Sequence, residues 1–193
     1  MRDFAQDKVP KRPFHASCHA YSPYLGLFSW QMTCTGREGW VMSFKLLVEG
    51  FPENSNIPDR FTCEGEDLSP ALRWSGEPSL TRSFAVMMDD PDAAGGVFSH
   101  WLIWDIPPHV HGLPEGNDHE PMGRSGINDF KRHGYNGPAP PKGRGPHRYF
   151  FRLFALDAAK LDLPKGARRP AVEQALKKHA IAETAYTGRY QRY

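Results

Sequence analysis

From Ser43 to the C-terminus the chain is a succession of short apolar runs, each closed by Gly, Pro, Asn or Asp: Ser43–Val48, Ile57–Thr62, Ala71–Trp74, Ser83–Met88, Phe98–Ile106, Arg148–Leu156 and Thr184–Tyr190. They are rich in β-branched and aromatic residues, which suit a pleated, half-buried surface, and the residues between them are turn formers. Phe98–Ile106 and Tyr149–Leu156 are almost unbroken apolar stretches, as expected of central strands covered on both faces. One segment has helical spacing: Pro170 suits a helix start, and Val172, Ala175, Leu176 and His179 fall on one side, with Lys177 and Lys178 facing away. A weaker turn is expected over Asp157–Leu161. Regularly spaced short strands predict a mostly β domain, an antiparallel sandwich or barrel, rather than βαβ units.

Residues 1–42 have no sustained period and mix Pro10, Pro13, Pro23 and Gly36 with scattered aromatics. They read as an irregular N-terminal extension, a targeting segment or, preferably, sequence upstream of a true start at Met42, with the domain over 43–193. At 193 residues the chain has room for one domain with a sizeable core. The 24 bases and 22 acids leave a net charge of +2, carried by the extension, so the domain itself is neutral. A neutral body offers no electrostatic footprint for nucleic acid or an anionic membrane.

No stretch approaches the roughly 18 apolar residues that cross a bilayer. The three cysteines, Cys18, Cys34 and Cys63, are odd in number and suggest no disulfide framework, so a cytoplasmic location is expected.

Three motifs carry chemistry. In Asp89-Asp90-Pro91-Asp92, Pro91 fixes its own φ and turns the chain after an apolar run. The acids either close that turn through backbone N–H groups or wall a pocket, with Asp90 and Asp92 pointing the same way. His100 lies inside an apolar run, as a core residue or as a site residue brought beside the acids by a hairpin, since only seven residues separate it from Asp92. The third motif is the Pro/Gly-rich segment from Pro140 to Tyr149. His147 and Tyr149 are two apart and share a face on a strand. Gly143 and Gly145 either let backbone amides approach an anion or simply build a hairpin.

Other features carry less. The segment lacks the phosphate-loop pattern, and no Ser or Cys sits in a nucleophile elbow. His109, His111, His119 and His133 lack zinc spacing and read as solvent-facing. The Arg144/Arg148 pair attracts an anion or belongs to a solvated face. The long connection Pro107–Pro146 reads as a fixed, functional loop.

These residues, in this order, resemble the phosphatidylethanolamine-binding protein family, in its bacterial and archaeal Raf kinase inhibitor-like branch. The resemblance rests on Phe61 through Trp74 (FTCEGEDLSPALRW), Asp90-Pro91-Asp92-Ala93, His100-Trp101, Gly134-Tyr135-Asn136-Gly137-Pro138, Pro140 through Tyr149, and Thr187-Gly188-Arg189-Tyr190. It implies an antiparallel Greek-key β-sandwich with one C-terminal helix, few short helices and a small anion pocket at one end. The pocket residues it implies are Asp90, Asp92, His100, Pro141, His147 and Tyr149. The chain departs from eukaryotic members just before His100, where it has Phe98-Ser99 in place of an aromatic or histidine pair.

The expected function is non-enzymatic binding or regulation, with a small anionic ligand or phosphorylated group as partner and no cofactor. His147 or His100 is expected to be protonated when the anion binds, because two carboxylates alone would repel it. Two other readings remain: a metal-assisted phosphoester hydrolase using Asp90, Asp92, His100 and His147, and a kinase or protease inhibitor acting through surface loops. Paired sheet faces leave room for a homodimer.

Overall fold

The computed structural model describes residues 43–117 and 122–193. The extension and His119 lie outside the described residues. Among the described residues, eight strands form two antiparallel sheets. β1 (Lys45–Val48), β2 (Leu72–Ser75) and β5 (Gly112–Leu113) make the smaller, in the order β1-β2-β5. The larger has the order β6-β4-β3-β7-β8, from β3 (Ser83–Asp90), β4 (Phe98–Ile106), β6 (Arg124–Ser125), β7 (His147–Leu156) and β8 (Ala180–Tyr190). β7 returns after a long excursion to pair with β3 rather than β4, a Greek-key type of crossing. The single α-helix among the described residues, α1 (Arg169–His179), precedes β8 and ends in Lys177, Lys178 and His179, which complement the partial negative charge of a helix C-terminus.

Alternation along the central strands divides the core in two. Phe84, Val86 and Met88 of β3, with Tyr149, Phe151 and Leu153 of β7, pack between the sheets with Leu46, Val48, Leu72 and Trp74. Ala85, Met87, Leu102, Trp104 and Phe154 point the other way, under Val172 and Leu176 of α1. β4 is buried at seven of its nine positions, as its almost unbroken apolar run predicts, whereas β7 is buried on both faces only over Leu153–Leu156; all eight residues of β3 are buried as well.

Six expected runs are strands, with ends shifted by a few residues or fewer; β3 extends to include Asp89 and Asp90. The exception is Ile57–Thr62. Only Asn56 forms a β-bridge there, to Arg189, and Asp59–Phe61 is a 3₁₀ turn. Pro58 has no donor for a ladder, and the N–H and hydroxyl of Thr62 both donate to the Asp59 carbonyl, at 2.8 and 2.9 Å. Ile57 and Phe61 still fill the core, delivered by the turn. No helix among the described residues is long and apolar enough to cross a membrane.

Candidate functional site

Alternation decides which acid at the end of β3 enters the space between the sheets. Asp90 follows Phe84, Val86 and Met88 onto that face, whereas Asp89 faces α1 and pairs there with Arg169 at 3.2 Å. On β7 the same parity sends His147 and Tyr149 inward, toward Asp90. The Asp90 Oδ2 lies 2.7 Å from His147 Nδ1, and both residues are buried. The Asp90 Oδ1 accepts the Asp92 backbone N–H at 2.8 Å. One carboxylate therefore closes the Pro91 turn and also orients an imidazole.

His100 reaches this group through a β-bulge. Met88 pairs with Trp101 and Asp89 with Ser99, so His100 is an extra residue in β4. By regular alternation it would share the helix side with Leu102 and Trp104. The bulge turns it instead to stand edge-on against the Tyr149 ring, centroids 5.3 Å apart, with Phe98 and Phe130 also against it.

The His100 Nδ1 lies 2.8 Å from the Asn136 carbonyl oxygen, which only accepts, so Nδ1 carries the proton. Burial pulls the His100 pKa below the usual histidine value, outweighing the Asn136 carbonyl and the charge of Asp90. His100 is thus a neutral imidazole at pH 7, with Nε2 as an acceptor.

The Tyr149 hydroxyl is fully buried and has no aligned hydrogen-bond partner among the described residues. Burial first, then the charge and the hydrogen-bonding pull of the nearby Asp90 carboxylate, push its pKa up, so it stays a phenol donor across the physiological range.

Asp92 lies outside this group. Its Oδ2 accepts the Arg148 backbone N–H and Nε, both at 2.9 Å, and its Oδ1 accepts Nη2 at 2.7 Å. This forked contact holds the carboxyl down at about 2. The two acids expected to point the same way therefore face different partners, because Arg148 alternates outward between His147 and Tyr149.

Pro141 is exposed in the turn before β7, its carbonyl accepting the Arg144 N–H at 3.4 Å. Gly143 and Gly145 have φ of 72° and 86°, and a Cβ at either would meet nothing within 4 Å. They are glycines for their left-handed backbone, and the Gly143 amide donates to the Arg192 carbonyl.

Sequence reasoning missed the residues that hold the histidine wall. Asn128 is fully buried, and its amide nitrogen reaches the His100 and Gly134 carbonyls and the Asn136 Oδ1. Asp67 accepts from Asn136 Nδ2 at 3.0 Å and from the Gly137 N–H at 2.6 Å. The Gly134–Pro138 motif was the available signal; nothing marked Asn128. Among the described residues, no three His, Cys, Asp or Glu side chains converge as metal ligands. His109, His111 and His133 are exposed.

The family model described as phosphatidylethanolamine-binding protein matches residues 48–191. A UPF0098 protein of Aquifex aeolicus is 41% identical over 165 residues, covering 79% of this chain and 96% of that one. A Mycobacterium tuberculosis relative named as a lipoprotein, LppC, is 36% identical over 142 residues, 73% of this chain and 69% of its own length. The crystal structure of Escherichia coli YbcL, described as a new member of the mammalian PEBP family, superposes with a TM-score of 0.74 at 31% identity, covering 78% of this chain and 99% of YbcL. The chain belongs to the phosphatidylethanolamine-binding protein family.

Proposed function

We propose that this chain is a non-enzymatic, cytoplasmic binding or regulatory protein whose site at the Asp90–His147 end takes a phosphoryl or carboxyl group. The observation that carries this reading is the buried cluster itself: the Tyr149 hydroxyl, near the Asp90 carboxylate but without an aligned hydrogen bond among the described residues, beside the His147 imidazole that the same carboxylate holds. Both Asp90 oxygens already serve the Asp92 N–H and His147, so the buried phenol is poorly satisfied there, and an anion offers it a better acceptor. The Asp90 charge would repel an anion unless His147 is protonated. His100 is held neutral, so of the two histidines it is His147 that supplies the positive charge. Nothing in the cluster is placed as an activated nucleophile.

Titration calorimetry with inorganic phosphate and with phosphoethanolamine tests this reading. A one-to-one complex is expected, weakened at least about tenfold in His147→Gln and in Tyr149→Phe. Binding unaffected by either substitution would overturn it. Screening for phosphoester hydrolysis with and without added divalent metal is expected to show no turnover; turnover abolished by Asp90→Asn would establish an enzyme instead.

A further inference from the structure

Beside His147 lies an open depression of about 490 Å³ lined by Asp92, Arg144, Pro146, His147, Arg148 and Arg189. Three guanidinium groups face one carboxylate. Arg148 is satisfied by its forked contact with Asp92, whereas Arg144 and Arg189 are exposed and have no acidic partner among the described residues.

The crowding follows from register. Arg148 and Arg189 are direct partners across β7 and β8, both turned outward, and Arg144 sits in the turn that feeds β7. Like charges opposite one another on neighbouring strands oppose sheet formation. In a domain with no net charge, this depression keeps an excess of cations where an acid could have compensated them. His147 lines the depression while its Nδ1 holds Asp90, so one imidazole belongs to both places.

We propose that the depression is a second anion subsite, and that the ligand is a small polyanion: one phosphoryl or carboxyl group meets the buried cluster, and an adjacent one meets Arg144 and Arg189. The proposal rests on the reading of the cluster given above and names its ligand class. Guanidinium groups suit such a partner, because their planar forks pair with phosphoryl and carboxyl oxygens.

The test compares inorganic phosphate with tripolyphosphate on the wild type, on the double variant Arg144→Gln/Arg189→Gln and on His147→Gln, by calorimetry at two salt concentrations. Both arginines are exposed, and unchanged melting of the double variant confirms its fold. The wild type is expected to bind tripolyphosphate at least about tenfold more tightly than phosphate, with the steeper salt dependence. The double variant should lose that advantage while holding phosphate within about twofold, and His147→Gln should weaken both. A tripolyphosphate advantage that is absent, or that survives in the double variant, overturns the subsite and leaves the cluster reading intact. Arginine-dependent tripolyphosphate binding without any phosphate binding overturns the cluster reading instead, and absence of both overturns the two together. Arginine-dependent sedimentation with anionic vesicles, in a protein showing no tripolyphosphate preference, assigns the surface to a membrane and also overturns the proposal.

Discussion

The Asp90 carboxylate is divided between two partners: Oδ1 takes the backbone N–H of Asp92, two residues on, and Oδ2 takes His147 Nδ1, 57 residues away. A local turn and a long-range pair are thus one structural unit, so the variant chosen decides what is tested. Asp90→Asn keeps an oxygen for the turn but removes the negative charge opposite the imidazole. It should weaken the difference in phosphate affinity between the wild type's acidic and alkaline pH limits, read from calorimetry at pH 5.5 and 8.5. Asp90→Ala removes both contacts and should destabilise the protein by about 3 kcal/mol in urea unfolding, because it strands a buried partner.

Wild-type phosphate affinity should itself fall between pH 5.5 and pH 8.5, because this reading requires an imidazolium in the site. The charge needed beside Asp90 is then lost. Equal affinities at pH 5.5 and 8.5 would exclude an imidazolium from the site.

His100 makes the opposite contribution to folding. Burial holds its pKa below the ordinary value of about 6.5, so the unfolded chain takes up the proton first as pH falls. Its stability contribution is complete above about pH 6.5 and is lost as pH drops toward the lower folded value. His100→Phe should be less stable at pH 7.5, having lost the bond to the Asn136 carbonyl. Its urea midpoint should nevertheless change less than that of the wild type between pH 7.5 and 5.5.

The Asp92–Arg148 pair acts in more acidic solution. With its folded pKa at about 2 against an ordinary 3.8, Asp92 stabilises the protein above about pH 4, and this is lost as pH falls toward 2. The shift corresponds to roughly 2 kcal/mol, reduced to about 1 kcal/mol because the Arg148 side chain is 52% exposed and screened. Arg148→Gln should return Asp92 toward ordinary titration, visible in its side-chain carboxyl NMR signal.

Asp105 offers a stabilising substitution. Its φ is 58°, its Oδ1 accepts the Leu161 N–H at 2.7 Å, and its buried Oδ2 has no partner among the described residues. Burial raises its pKa, so the ionised form is disfavoured in the fold. Asn tolerates the left-handed backbone and keeps the acceptor. Asp105→Asn should therefore stabilise the protein by about 0.5 kcal/mol at pH 7, with the gain fading below about pH 4 as Asp105 protonates in both states. Melting temperatures at the two pH values check this.

Much of the framework was legible because strand alternation and burial leave direct traces in the sequence. The almost unbroken apolar run Phe98–Ile106 reads as a strand covered on both sides, and His147 and Tyr149, two apart, share a face once they lie on a strand. Legibility failed where a backbone irregularity or a distant partner decides the outcome. The run Ile57–Thr62 reads as a strand until Pro58 and the Thr62 hydroxyl are allowed to make a turn. The outward placement of Asp92 depends on Arg148, 56 residues away. Asn128 carries no local pattern, since most of its partners are backbone groups that any residue could supply.

The extra residue in β4 makes His100 and Trp101, neighbours in sequence, look toward the same interior. A regular ladder would give that side one ring at this level; here it receives two, with the imidazole nearer the open end. The histidine wall is therefore written twice, once into the ladder spacing of β4 and once into the loop whose Asn136 carbonyl receives the imidazole proton.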